Sequence, residues 1–272
     1  MRILVNGVSL AVEEAGHGVP LLLVHGFPLS SQMWAPVLPA LAEAVRVVAV
    51  DLRGFGDSEA PRDGYTMDSL ATDVVGVADA LGLTRFAVAG HSMGGYVALR
   101  VAARWPDRLV GLMLVDSRAE ADDEAGRLRR EEAIARIVGG GREGFLDDFI
   151  PNLVALATRQ RAPRLLEELR AMAERVPARV LAGCLAGMRD RPDSRSLLPA
   201  LAVPLLVMVG EEDTITPPAS AQAMASAAPR ATVACIAGAG HTPPVERPVA
   251  TAEAMLAFAA AHFPPADGRS HG

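Results

Sequence analysis

Lysine is absent from the 272 residues, so all 26 basic side chains are arginine, and against 32 aspartates and glutamates the formal net charge is −6. Nucleic-acid affinity rests on a basic excess that displaces counterions, and a chain without one is not expected to bind nucleic acid. Cysteine is nearly absent too. Cys184 and Cys235 are too few for a disulfide framework, and both stand in apolar stretches, so the sequence predicts two buried free thiols in a reducing compartment. No apolar run approaches the roughly 20 residues of a membrane-spanning helix, because charge or proline breaks every alanine-rich window. The first residues lack the apolar core and small-residue cleavage site of a signal peptide. A cytoplasmic protein with no membrane partner is expected, a monomer or a homodimer. Half of the residues are hydrophobic, enough at this length for one large α/β domain or such a domain with an insert.

The stretch that organises the chain runs from Phe86 to Tyr96. Phe86-Ala87-Val88-Ala89 reads as a buried strand, and Tyr96 to Ala103 carries helix formers with apolar residues at helical spacing. Between them stands Gly90-His91-Ser92-Met93-Gly94. A serine boxed by glycines two residues to either side marks a strained strand-to-helix elbow that exposes the hydroxyl.

Around this stretch, apolar strand-like runs alternate with helical patterns. Two short strands flank Asn6-Gly7, and further strands are expected at Leu21–Val24, Val45–Val50, Leu109–Asp116, Pro204–Gly210 and Thr232–Ile236. One helix is expected from Ser31 to about Ala44, another after Thr66 on Leu70, Val74, Val77 and Leu81, a third from Pro218 to Ala227 and a last from Val249 to Phe263. Such alternation means right-handed crossovers and a mostly parallel sheet. From Arg118 to Arg195 the alternation stops: 15 Arg and 14 Asp or Glu stand among 78 residues, with four helical patterns and no strand. Their apolar positions are Leu128, Ile134 and Ile137; Phe145, Phe149 and Leu153; Leu165, Leu169 and Met172; Val180, Cys184 and Met188. The organisation expected is a core of residues 1–117 and 196–263, a helical cap of residues 118–195 over the carboxyl ends of the strands, and a disordered tail of residues 264–272.

A serine hydroxyl needs a neighbouring base, and the base needs an acceptor that fixes its tautomer. Of six histidines, His241 is the best placed, in a glycine-bracketed loop after the final strand; His25 and His91 read as structural. Asp213 and Asp116 both follow an apolar strand. Asp213 is preferred because the order Ser92, Asp213, His241 goes with this elbow, and Asp116 remains the alternative. An oxyanion needs preset donors, and the backbone N–H groups of Phe27 and Met93 are the candidates. Phe145 and Phe149 are the candidate pocket walls.

Leu-Leu-Leu-Val-His-Gly-Phe-Pro, Asp-Leu-Arg-Gly-Phe-Gly-Asp-Ser, Gly-His-Ser-Met-Gly-Gly, Gly-Glu-Glu-Asp and Gly-Ala-Gly-His occur here in that order. Together they resemble the α/β-hydrolase superfamily over nearly the whole chain, and within it serine esterases and lactonases. The resemblance implies an eight-stranded mostly parallel sheet, a helical cap after the sixth strand, and neither metal nor organic cofactor. It implies hydrolysis of a small ester or lactone through an acyl-enzyme. Epoxide hydrolases and haloalkane dehalogenases carry Asp where this chain has Ser92. Epoxide hydrolases also use cap tyrosines, whereas Tyr65 and Tyr96 precede the cap; plant-type hydroxynitrile lyases use a lysine. Perhydrolysis or carbon–carbon bond hydrolysis on the same three residues stays open, as does a hydrolase-like receptor with little turnover.

Overall fold

Asn6 and Gly7 both adopt positive φ, 51° and 76°, as a two-residue primed turn requires. They fold β1 (Arg2–Val5) antiparallel onto β2 (Val8–Ala15). The computed structural model describes residues 1–263, so the expected disordered tail lies outside the described residues. The remaining core elements follow as β3 (Pro20–Val24), α1 (Leu38–Ala42), β4 (Arg46–Val50), α2 (Met67–Ala80), β5 (Phe86–His91), α3 (Met93–Arg104) and β6 (Leu109–Val115). Five helices come next: α4 (Glu124–Arg136), α5 (Arg142–Phe149), α6 (Leu156–Arg161), α7 (Pro163–Glu174) and α8 (Ala178–Arg189). The chain closes with β7 (Leu205–Gly210), α9 (Pro218–Ala227), β8 (Ala231–Ile236), α10 (Pro243–Glu246) and α11 (Pro248–His262).

The eight strands form one sheet in the order β1-β2-β4-β3-β5-β6-β7-β8, in which β2 pairs antiparallel with β1 and β4 and every other pairing is parallel. Leu22, Leu23, Val24 and all of Phe86 to Ala89 have no solvent exposure, which is why β3 and β5 read as unbroken apolar runs. Each such Val, Leu or Phe side chain contributes about 1.5–3 kcal/mol by leaving water. Parallel strands all end on one edge of the sheet. The loops after β3, β5, β6, β7 and β8 therefore meet there, carrying Phe27, Ser92, Asp116, Asp213 and His241.

Local chemistry sets the boundaries. Thr66 caps α2 by accepting from the Ser69 N–H at 3.1 Å, and Gly82 ends that helix at φ +68°. The helix expected across residues 31–44 is instead a 3-10 turn, Ser31–Trp34, followed by the short α1; Pro36 and Pro39 supply no N–H and break it. The insert holds five α-helices where four patterns were read. α6 escaped because its six residues carry no apolar period, and Leu156 is 62% exposed. Leu128 is a further correction. It lies six residues before Ile134, off the face that Ile134 and Ile137 share, and it points to solvent. Cys184 is buried as expected, whereas Cys235 is exposed, because β8 is the edge strand of the sheet and keeps only its last residue buried.

Candidate active site

Ser92 sits at φ 50°, ψ −113° between β5 and α3, a region that non-glycine residues occupy only when their surroundings force it. The flanking glycines make that turn possible. A Cβ on Gly90 would lie 2.1 Å from the Gly94 carbonyl oxygen, and one on Gly94 would lie 2.3 Å from the Val24 oxygen. The elbow therefore packs backbone on backbone, and it is pinned where the Ser92 N–H donates to the Val115 carbonyl at 2.9 Å. The Ser117 hydroxyl donates to the Ser92 carbonyl, also at 2.9 Å.

From this perch the Ser92 hydroxyl reaches His241 Nε2 at 2.9 Å, and His241 Nδ1 donates to Asp213 Oδ2 at 2.8 Å. His241 and Asp213 are almost wholly buried, 1% and 3% exposed. Burial alone would raise the Asp213 acid, but the His241 ring, its hydrogen bond and the Thr216 hydroxyl at 2.6 Å outweigh it and hold the carboxyl well below the usual range. The backbone N–H groups of Ile215 and Thr216 donate to Oδ1 at 2.8 and 3.1 Å, so the carboxylate cannot swing away from the imidazole.

Asp116 lies at the end of β6 with φ 45°. Its Oδ1 accepts from the Gly210 N–H at 2.8 Å, and its buried Oδ2 has no donor in the protein. Burial, and then the neighbouring Asp213 carboxylate, push the Asp116 carboxyl well above the ordinary range. Two adjacent carboxyls cannot both ionise in such a site. The two candidate acids are therefore neighbours shifted in opposite senses, Asp213 toward the charged form and Asp116 toward the protonated one. Asp116, Asp213 and His241 bring ligand-type atoms within 4.8 Å of one another. Both His241 nitrogens are already engaged, however, and a metal ion would have to break the bond to Asp213.

The other two loop histidines hold backbone. His25 Nε2 accepts from the Leu52 N–H at 3.0 Å while its Nδ1 donates to the Gly26 carbonyl. His91 Nε2 donates to the His241 carbonyl at 2.6 Å. Burial, helped by the nearby His241, pushes the His91 imidazole down to about 3, so it stays neutral.

Phe27 follows Gly26 in the loop after β3, and Met93 directly follows Ser92. Gly26 is so close that a Cβ there would lie 3.1 Å from Ser92 Cβ, and Met93 opens α3 with an N–H that has no partner within the helix. Among the described residues neither N–H donates to another protein atom. From the insert, Phe145 and Phe149 stack at 5.4 Å, and their rings stand edge-on to Phe27 at 6.3 and 5.7 Å.

One carboxylate at this edge went unread in the sequence. Glu246 is 7% exposed; its Oε1 accepts from the Gly240 and Thr242 N–H groups on either side of His241, at 2.8 and 3.3 Å, and its Oε2 accepts from the Ala155 N–H of the insert at 2.8 Å. The Thr242 hydroxyl donates to the Leu153 carbonyl at 2.8 Å, and a Cβ on Gly240 would lie 2.3 Å from the Ala155 nitrogen. Glu246 thus clasps the histidine loop to the insert. The available signal was an acid between Pro244 and Pro248, in a turn too short to offer a solvated helical face. Glu246→Ala would leave buried N–H groups without acceptors, each at a cost of about 1–3 kcal/mol. Loss of roughly 3 kcal/mol or more in urea unfolding is expected, with a lowered kcat; an unchanged unfolding midpoint would show that the clasp carries no strain of the loop.

The model of the family described as "alpha/beta hydrolase fold" matches residues 19–248. Among solved structures, a thermophilic esterase from Thermogutta terrifontis, with malate bound, is 38% identical and superposes with a TM-score of 0.91, covering 96% of this chain and 98% of that one. The enol-lactonase from Burkholderia xenovorans LB400 is 27% identical with a TM-score of 0.89, covering 96% and 100%. A pimeloyl-[acyl-carrier protein] methyl ester esterase of Xanthomonas oryzae pv. oryzae is 32% identical over 259 residues, 92% of this chain and 98% of that protein. The chain spans only 40% of another curated relative, a soluble epoxide hydrolase of Corynebacterium sp. strain C12, to which it is 42% identical over 113 residues, 42% of its own length.

Proposed function

Because the chain belongs to the alpha/beta hydrolase fold family, and because Ser92, His241 and Asp213 stand in one hydrogen-bonded relay, we propose that it is a serine hydrolase cleaving a carboxylic ester or lactone. The substrate is small and mainly apolar, and the reaction runs through an acyl-enzyme. The relay carries this reading: Oγ to Nε2 at 2.9 Å and Nδ1 to Oδ2 at 2.8 Å. His241 accepts the Ser92 proton as Oγ bonds to the carbonyl carbon, and the oxyanion forms against the Phe27 and Met93 N–H groups. The imidazolium, stabilised by Asp213, then gives its proton to the departing alkoxide. Water repeats the sequence, with His241 taking its proton, and hydrolysis of the acyl-serine returns the free hydroxyl. Asp116, whose carboxyl is pushed toward the protonated form, lies outside the relay, because the acid hydrogen-bonded to His241 is Asp213.

The esterase and enol-lactonase relatives support the choice of ester and lactone over other acyl transfers. Residues 118–195 serve in this reading as a cap whose Phe145 and Phe149 wall the acyl pocket above Phe27. A panel of p-nitrophenyl esters of increasing acyl length, run beside lactones and followed by fluorophosphonate labelling, tests the proposal; failure of the label to attach would refute it.

Phe149→Ala removes a wall and no reacting group. It is expected to raise kcat/KM for longer or branched acyl groups relative to acetyl by 10-fold to 100-fold, on the basis that pocket contacts of this size are worth about 1–3 kcal/mol. If neither this variant nor Phe145→Ala changes the acyl-length profile, the pair does not line the acyl pocket.

A further inference from the structure

The residue that precedes the serine is bonded to the main chain of the base. His91 Nε2 donates to the His241 carbonyl at 2.6 Å, across 150 positions of sequence, and His91 itself closes β5, where it pairs in register with Val115 and has no solvent exposure. The peptide that this bond reaches, between His241 and Thr242, is held at its other end too, because the Thr242 N–H donates to Glu246 at 3.3 Å. His241 lies in no helix or strand. These two bonds therefore fix the plane of that peptide, and the plane sets where the imidazole can hang.

The same ring touches a third part of the site. A Cβ on Gly26 would lie 2.3 Å from His91 Nδ1, so the loop that carries the Phe27 N–H is seated against it. Because the His241 carbonyl needs a donor, the proton of His91 is on Nε2, and Nδ1 is left as a buried acceptor with no donor among the described residues. Native structures keep few such atoms without a reason, since each is a standing cost to the fold. An apolar side chain would fill the space without that cost. What it could not provide is the Nε2–H. Nor does the ring add a charge: it faces the His241 ring at 5.0 Å, and burial, then the neighbouring His241, hold it neutral, so an imidazolium at His241 meets no second cation.

Resting on the serine-hydrolase reading, we infer that His91 is a positioning residue for the reaction, its bond to the His241 carbonyl setting the base against the hydroxyl of the adjacent Ser92. Asp213 orients the imidazole ring; His91 places the main chain that carries it. Because His91 and Ser92 are neighbours at the end of β5, one strand end fixes the spacing of nucleophile and base. A misplacement of about 1 Å between reacting groups costs on the order of 10²-fold in rate.

His91→Val and His91→Gln test this as a pair, being similar in size and both smaller than the imidazole, while only the glutamine carries an N–H that reaches where Nε2 stood. With p-nitrophenyl butyrate, His91→Val is expected to lower kcat by about 10-fold to 100-fold with KM within about threefold of the parent, and His91→Gln to recover most of that loss. A second readout needs no substrate. The His241 Nδ1 proton, which is donated to Asp213, should exchange with solvent about 10-fold faster in His91→Val, as for one lost hydrogen bond, and at the parent's rate in His91→Gln. His91→Asn, whose amide is one carbon too short to reach, takes the place of His91→Val if the valine variant does not fold. A side chain that only fills space would give both variants the same loss. Equal kcat and equal exchange in the two, whether both fall or neither does, would overturn the inference. A parent that cleaves no ester and takes no fluorophosphonate, with exchange rates that still separate the two variants, would uphold the hold on His241 and refute the hydrolase reading instead.

Discussion

Ser92→Ala is expected to lower kcat on any ester the protein turns over by about 10⁶-fold, the scale on which removal of a nucleophile acts when the rest of the relay stays in place. The hydroxyl contributes one hydrogen bond, to His241, and almost no packing volume, so the variant should fold and unfold as the parent does. Residual turnover would come from the Phe27 and Met93 donors and from substrate positioning. Fluorophosphonate labelling separates the cases: the parent takes one label and the variant takes none. A variant that retained more than a thousandth of the parent rate would place the nucleophile elsewhere.

The second large effect separates the two neighbouring acids. Asp213→Asn removes the charge that faces His241 Nδ1 and should lower kcat by about 10⁴-fold. Asp116→Asn leaves the bonds from Ser92 to His241 and from His241 to Asp213 in place, and the rate should stay within severalfold of the parent. Its effect should appear in stability. A carboxyl whose folded pKa is raised binds more protons folded than unfolded, so it costs stability as pH rises above the unfolded value of about 4. The asparagine carries no such cost. Urea unfolding should therefore show Asp116→Asn gaining on the parent as pH rises from mildly acidic to mildly alkaline. Asp213 acts in the opposite sense: its lowered acid stabilises the fold above about 4, and that stabilisation is lost on acidification. A collapsed rate for Asp116→Asn with a near-normal rate for Asp213→Asn would exchange the roles.

What could be read from the sequence follows from how locally each feature is encoded. β3, β5, β6 and β7 were legible because strands covered on both faces must be continuously apolar, and the elbow because Gly90 and Gly94 bracket Ser92 at a fixed short spacing, even though the contact that demands Gly94 comes from the distant Val24 carbonyl. α9 was marked at its first turn by Pro218, and α2 by Thr66. The insert was harder. Its helices bury narrow stripes and spend the rest of their surface on arginine and acidic side chains, so Leu128 could be taken for an inward residue and α6, with no stripe, could be missed. Cys235 looked buried because an apolar strand says nothing about whether it ends up at the edge of the sheet. Least legible were contacts that join distant segments. That Glu246 clasps Gly240 and Thr242 to Ala155, and that Asp116 lies against Asp213, depend on how segments far apart in the chain pack together, which no spacing encodes.

The central claim is that the reaction passes through an ester on the Ser92 oxygen, and it can be put to a single measurement. The protein is mixed with p-nitrophenyl butyrate in heavy-oxygen water, quenched in acid during turnover, and digested for peptide mass spectrometry. A butyryl adduct on the peptide carrying Ser92, with no heavy oxygen entering any aspartate, is the expected result. Heavy oxygen incorporated into Asp116 or Asp213, or turnover with no adduct on Ser92 and no label from the fluorophosphonate, would contradict it.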